Sequence, residues 1–344
     1  EPLRSIQRTL YITDPAAALG THNQRLVLRR GDEVVLEVPA LQVDQVVVLG
    51  RNAVSTPAMV CCMQHGISLV LLTRLGRFVG RMEPAQAHPG ALLQAQCVAQ
   101  ADTGLGLALA KHFVQGKIGN AALVLQRYAR HRRGADGATQ AQVHQAVLRL
   151  RDHHRRLRNA QTLDELRGHE GAAAAAYFGA WRQWLAADWR FAARQQQEGA
   201  DPMNALLDLG YTLLHHAVAG LLQARGLNPW LGHLHAARAG HMALASDMME
   251  EFRAVCVDSV VLNLCLNGRL TPDDFVRQHG SHSLRPDAVR LFIHALETRW
   301  NTERQHPRHN EVMDLRRIID AQVCDLAGVY RRADATRYTP CEFR

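Results

Sequence analysis

Within "GHLHAARAGHMALASDMMEEF", residues 232–252, three histidines precede three acids. If the second half is helical, Asp247 and Glu250 are three apart and share a face. The row Met242, Ala245, Ser246, Met249 and Phe252 gives a mostly apolar neighbouring face, so both acids border packed side chains. Two carboxylates held there repel each other unless a cation neutralises them. His235 precedes the helix in a loop opened by "GLNP", and a histidine facing two helical carboxylates offers mixed nitrogen and oxygen ligation. Ligand softness alone admits Mn, Zn or Fe as readily as Mg. Spacing alone equally fits a surface histidine cluster near a helix start. Glu251 points away from Asp247 and Glu250 and is expected to be solvated or paired with Arg253. Glu170, just before the alanine run of "GHEGAAAAAYF", supplies a candidate third acid where small side chains allow close approach.

The elements that must position these residues fall into two compositional halves. In residues 1–82 apolar, β-branched runs are punctuated by glycine: "RLVLRRGDEVVLEV" reads as a hairpin closed through Gly31, and "VDQVVVLG" and "ISLVLLTRLGRFVGRM" read as strands. "STPAMVCCMQHG" is the helix of this half, with Ser55 as N-cap and Gly66 as stop. A Pro/Gly/Ala linker at 83–91 follows. Beyond it, residues 92–344 have helical periodicity, with helices expected at 91–115, 118–133, 138–158, 161–186, 203–225, 241–267, 272–279, 286–303 and 309–331. The fold class is α+β: a small β-rich, sandwich-like domain followed by a larger all-α domain.

The 344 residues suffice for two or three domains with a sizeable core, and 47% hydrophobic with 21% charged residues describes a globular chain. No apolar run reads as long enough to cross a bilayer, and "EPLRSIQRTLYITDP" lacks signal-peptide character, so a cytoplasmic location is expected. The chain starts at Glu1 without a methionine, which fits a processed chain or a piece of a longer one. Seven scattered cysteines with no C-x-x-C pair argue against a disulfide framework or zinc ribbon. Net charge is +8, and lysine occurs only at Lys111 and Lys117. Residues 126–160 hold nine arginines against Asp136 and Asp152. Such forks suit the phosphates of a polyanion, and a solvated helix face explains them equally well.

Four ordered motifs carry a resemblance: "LRGHEGAAAAAYF", "DPMNALLDLGYTLL", "GLNPWLGHLH" and "LASDMMEEFR". They resemble the E-G-x-A-A-x-x-Y-F, D-P-x-N-x-L-L-x-x-G-Y, G-L-x-P-x-x-G-x-x-H and D-L-M-E-x-F-R motifs of the universal CRISPR-associated spacer-acquisition integrase family. The likeness extends outward through "VVVLGRNAVSTPAMVCCMQHGISLVLLTRLGRFVG", "KIGNAALVLQRYAR" and "RYTPCEFR", covering essentially the whole chain. Two departures stand out. "RFAARQQQEGADP" replaces the usual arginine- and proline-rich approach to the D-P-x-N helix. Met248 stands where leucine is usual, a volume-conserving change.

The resemblance implies a dimerising β-domain and a helical, metal-dependent DNA endonuclease and integrase, joining 3′-hydroxyl ends of short DNA fragments into a CRISPR array by transesterification. By the same resemblance Glu170, His235 and Glu250 match the ligands of Mg²⁺ or Mn²⁺, and Asp247 matches an auxiliary carboxylate. His233 and His241 match no ligand position. Arg190, Arg194, Arg238 and Arg253 are candidates for holding DNA phosphates, and Arg253 alternatively pairs with Glu250 or Glu251. Asn204 and Tyr211 shape the pocket, and Tyr177 packs in the core. Implied partners are double-stranded DNA (spacer fragments and the repeat), a second copy, and the small CRISPR adaptation partner protein. Some members are fused to a reverse transcriptase, a layout that "EPLRSIQRTLY" would fit. The alternatives are a non-catalytic DNA-binding subunit and an unrelated metal-dependent phosphodiesterase.

Overall fold

A computed structural model describes residues 8–74, 76–85, 90–131, 137–195, 199–278, 280–308 and 311–343. By its internal contacts the chain divides into two compact units: the described residues before 88 with 283–293, and 90–282 with 294–343.

The first unit contains β1 (Thr9–Ile12), β2 (Ala17–His22), β3 (Arg25–Arg30), β4 (Glu33–Pro39), β5 (Gln45–Leu49), β6 (Ala53–Val54), α1 (Thr56–Gln64), β7 (Ser68–Leu72) and β8 (Phe78–Met82). One sheet has the order β1-β5-β7-β8, the other β4-β3-β2-β6. β5 lies parallel to both β1 and β7, with Val46 opposite Leu10 and Leu69. The expected hairpin forms from β3 and β4, turning at Gly31 with φ +59°. Side chains from both sheets and α1 share one core, including Ile12, Leu19, Leu26, Val46, Cys62 and Leu69. α1 begins as predicted: the Ser55 side chain accepts from the Ala58 amide, and Gly66 takes φ +75° beyond the last turn. The linker expected at 83–91 lies partly outside the described residues, at 86–89.

The second unit is built from α2 (Gly90–Ala101), α3 (Thr103–His131), α4 (Gly137–Arg156), α5 (Leu163–Trp181), α6 (Pro202–Ala224), α7 (Ala243–Met249) and α8 (Ser259–Leu266). Along the chain β9 (Phe275–Gln278), β10 (Ser281–Leu284), α9 (Pro286–Trp300), β11 (Arg304–Gln305), β12 (Val312–Met313) and α10 (Leu315–Arg332) follow, with residues 283–293 of β10 and α9 counted in the first unit. α3, α4 and α5 pack against one another. α6 starts at an Asp201 cap that accepts from the Asn204 amide at 2.8 Å, with Pro202 in the first turn. Its 23 residues are long and apolar enough to span a bilayer, which amends the expectation drawn from the sequence. Most of that helix is buried against the rest of the protein, so its hydrophobicity is that of a core helix.

Three helix expectations need correction. The break expected near Gly116 sits at Asp102 instead, whose carboxylate caps α3 through the Leu105 amide at 2.9 Å. Gly116 and Gly119 lie inside α3, where neighbours leave no room for a side chain. A Cβ at either would come within 2.7 Å of the Glu251 or Glu342 side chain. The helix expected at 272–279 is a short 3₁₀ turn at Pro272–Asp274 running into β9. The single helix expected at 241–267 is interrupted. After α7 the chain tightens, with the Phe252 N–H donating to Met249 O at 2.9 Å, and then makes a π-helical turn at Ala254–Asp258 before α8.

Candidate active site

Glu170 comes from the middle of α5, Glu250 from the turn ending α7, and His235 from the loop before it. Lys117 of α3 joins the two acids: its ammonium bonds Glu170 Oε1 and lies 2.8 Å from Glu250 Oε2. Glu250 is about 1% exposed, and its Oε2 makes no hydrogen bond of good angle. Arg253 reaches Glu250 Oε1 at 3.1 Å while its guanidinium lies 4.6 Å from the centre of the Tyr211 ring. Burial works against the Glu250 charge, but Arg253, Lys117 and His235 outweigh it and lower its pKa to about 2.

Asp247 holds the histidine. Its carboxylate accepts the amides of His233, Leu234 and His235 and the His235 Nδ1–H, the last two at 2.9 and 2.7 Å. A fully buried acid is thereby satisfied on both oxygens, and the ring is fixed with Nε2 3.8 Å from Glu250 Oε1. Burial disfavours the His235 charge, yet the Asp247 bond and the Glu250 carboxylate raise its pKa above the ordinary value. The close approach depends on Gly232. A Cβ there would lie 2.6 Å from the Ala243 carbonyl carbon and 2.8 Å from Asp247 Oδ2.

Among the described residues no three acidic, histidine or cysteine side chains are already gathered as a ligand set, because Lys117 stands between the acids. The donors nonetheless suit a divalent ion. Two carboxylates converge on one cation, one of them almost wholly buried, and an imidazole nitrogen lies 3.8 Å from that same carboxylate.

Beside this cluster is a cavity of about 110 Å³ whose walls include Lys117, Glu170, Ala173, Ala174, Arg194 and Arg253. At its margin Tyr177 and Tyr211 donate to the two oxygens of buried Asp258, at 3.0 and 2.7 Å. Burial raises the Asp258 carboxyl to about 6 against the pull of these donors. Tyr177 is therefore a core residue with a defined polar partner. Asn204 closes the start of α6, accepting from Arg194 at 2.7 Å, and Arg194 also pairs with Asp208.

The remaining predicted residues scatter. Arg190 is exposed in the left-handed region at φ +51°, and Arg238 is exposed on the loop before α7. The basic residues Arg149, Arg151, Arg155, Arg156 and Arg158 lie exposed on or just beyond α4, with Asp152 pairing Arg155 and Arg156, and 132–136 lie outside the described residues. His233 is buried beside the Tyr330 hydroxyl at 3.0 Å, and His241 stacks on His215. Glu251 is not solvated and does not pair with Arg253. It is fully buried and accepts from Tyr338 OH, the Cys341 amide at 2.7 Å and Gln322 Nε2 at 3.3 Å. Sequence reasoning missed Lys117 as a site residue, although one of two lysines in an arginine-dominated chain was a usable signal. It also missed Asp258, for which nothing in the local sequence gives a signal.

Two compact units, one β-rich and one helical with acids, a histidine and cations buried together, describe the class. A family profile described as CRISPR associated protein Cas1 matches residues 10–298. The chain is 36% identical over 338 residues to the CRISPR-associated endonuclease Cas1 3 of Thermus thermophilus, covering 97% of each. It is 35% identical over 345 residues to the CRISPR-associated endonuclease Cas1 2 of Rhodospirillum rubrum, covering 98% of this chain and 99% of that one. The chain belongs to the Cas1 family. Its fold is shared with a casposase bound to integration product, with TM-score 0.84 and 20% identity over 98% of this chain and 95% of that one. It is also shared with a chain of a Cas6-RT-Cas1–Cas2 complex, with TM-score 0.85 and 23% identity. All of this chain is covered there, and it spans 37% of that longer one.

Proposed function

We propose that this protein is a divalent-metal-dependent DNA endonuclease and integrase of CRISPR adaptation, joining 3′-hydroxyl ends of short fragments into the array by transesterification. The observation that carries the reading is the convergence of Glu170 and Glu250 on one ammonium, with His235 Nε2 aimed at the same acid. Glu170, His235 and Glu250 would hold Mg²⁺ or Mn²⁺, which when bound polarises a phosphoryl oxygen and lowers the pKa of the attacking hydroxyl.

Asp247 acts through His235, fixing its tautomer so that Nε2 presents a lone pair. Arg253, held over Tyr211, and Arg194, 5.5 Å from the same ring, flank the cavity and suit the scissile phosphate or its neighbours. Exposed Arg190 and Arg238 suit the flanking phosphates, which position DNA without reading its sequence. Water in place of the DNA hydroxyl gives strand cleavage at the same site. In the first unit the edge strand β4 leaves Val34, Val35 and Leu36 exposed, which supports association with a second copy. The small adaptation protein is the further expected partner, since the matched fold comes from a chain whose complex includes Cas2. The Cas6-RT-Cas1 arrangement also supports a reverse transcriptase preceding Glu1, and the coding sequence upstream tests that point.

The deciding assay combines short duplexes, a supercoiled plasmid bearing the repeat, and Mg²⁺ or Mn²⁺. Glu170→Gln should lower strand transfer and cleavage about a hundredfold while duplex binding persists. Transfer equal to that of the unaltered protein would leave the acids a structural role and favour a non-catalytic DNA-binding subunit.

A further inference from the structure

Glu170 and Glu250 are not waiting as bare anions. Lys117 bonds one and sits 2.8 Å from the other, and Arg253 pairs with the second oxygen of Glu250. Two positive side chains thus already balance two negative ones. Lys117 is about one-fifth exposed and Glu250 almost wholly buried, so these charges meet where water screens them poorly. A divalent ion entering the same gap meets carboxylates that are taken and an ammonium that repels it. For the ion to bind, Lys117 has to leave.

The surroundings allow this. Lysine's four-carbon stem is flexible and its charge is a compact point, unlike the planar fork of arginine. The cavity of about 110 Å³ adjoins it, and the alanines at 173 and 174 leave space along the α5 wall. An ammonium moved off two carboxylates needs another anion, and the group expected in that cavity is a DNA phosphate.

Building on the metal reading above, we propose that Lys117 is a place-holding cation. It occupies the gap between Glu170 and Glu250 in the free protein and yields it to a divalent ion when a DNA phosphate takes up its ammonium. Metal and DNA therefore bind cooperatively. The free protein holds the ion weakly, and the ion is gathered where a substrate phosphate is already present. Lys117 acts as a positioning residue.

Isothermal titration with Mn²⁺ at fixed pH tests this with a readout separate from activity. The unaltered protein should bind Mn²⁺ about tenfold more tightly with a short DNA duplex than without, within the usual range for coupled sites. Lys117→Met should bind Mn²⁺ about tenfold more tightly than the unaltered protein in the absence of DNA, and DNA should then add little. Equal or weaker Mn²⁺ binding by Lys117→Met overturns the inference. If that variant is too unstable to titrate, the melting temperature of Lys117→Gln is read instead. Mn²⁺ should raise it more than it raises that of the unaltered protein, because stabilisation follows ligand affinity, and an equal or smaller rise overturns the inference. His235→Ala separates the two claims. If it binds Mn²⁺ as the unaltered protein does, the metal reading fails and takes this one with it. If it loses the ion while Lys117→Met gains nothing, only the place-holder fails.

Discussion

Gly232→Ala adds one methyl group at the point where the loop carrying His235 crosses α7. The new Cβ would lie 2.6 Å from the Ala243 carbonyl carbon, 2.8 Å from Ala243 Cβ and 2.8 Å from Asp247 Oδ2. Comfortable carbon contacts begin at about 3.5 Å, so the loop and helix must part by close to 1 Å. The Ala243 backbone cannot rotate aside as a flexible side chain would. Overpacking of this kind costs about 1–3 kcal/mol. For a helical unit of this size each kcal/mol is worth about 2–4 °C, so a fall of about 5 °C in melting temperature is expected. The functional loss should be larger than the stability loss suggests. Asp247 grips three loop amides and the imidazole, so displacing it moves His235 with it. A misplacement of about 1 Å can lower a rate about a hundredfold. Gly171→Ala is the matched control: it lies on α5 with no atom within 4 Å of the added Cβ, and should gain about 0.5–1 kcal/mol. Thermal denaturation of both variants, with strand transfer measured for Gly232→Ala, checks the argument. A Gly232→Ala protein that melts and integrates like the parent would refute it.

Three further outcomes follow from the same geometry. Burial raises Glu251 from 4.5 to about 8 despite the donors around it, so the folded state retains a proton that the unfolded state has lost. Stability should accordingly fall as pH rises through that window, by about 1.4 kcal/mol per unit at the steepest. Glu251→Gln should flatten this dependence, and urea midpoints at pH 5 and pH 8 that change in parallel for both proteins would contradict it. Arg238→Ala removes an exposed charge beside the His235 loop, and should weaken duplex binding with a salt slope smaller by about one; titrations at several salt concentrations measure this. Tyr211→Phe strips a 2.7 Å donor from buried Asp258 and should cost about 1–3 kcal/mol, read from denaturant unfolding.

Much of the fold was legible because short-range chemistry marks it. Ser55 before Pro57, Asp201 before Pro202, and glycine at 31 and 66 each specify a local backbone state that the structure adopts. Non-local packing was not legible. Gly116 reads as a helix breaker but, like Gly119, serves close approach inside a continuous α3. The interruption between α7 and α8 has no proline or glycine to announce it. Asp247, Glu250 and His235 could be picked out by type and spacing. That Asp247 is fully engaged by loop amides, and that Lys117 stands between the two glutamates, depends on α3, α5 and the α7 turn meeting across more than fifty residues of sequence.

Glu251 also ties the site to residues far along the chain. It grips Tyr338 and the Cys341 amide, while Asn120 donates to Cys341 O and to Glu251 O, both at 2.7 Å, and accepts the Phe343 amide. The turn bearing Glu250 is thus stitched to residues 338–343, which leave the ribosome long after α3, α5 and α7 have emerged. Without residues 338–343 the buried Glu251 carboxyl loses its Tyr338 and Cys341 donors, and the turn that presents Glu250 loses one of its anchors.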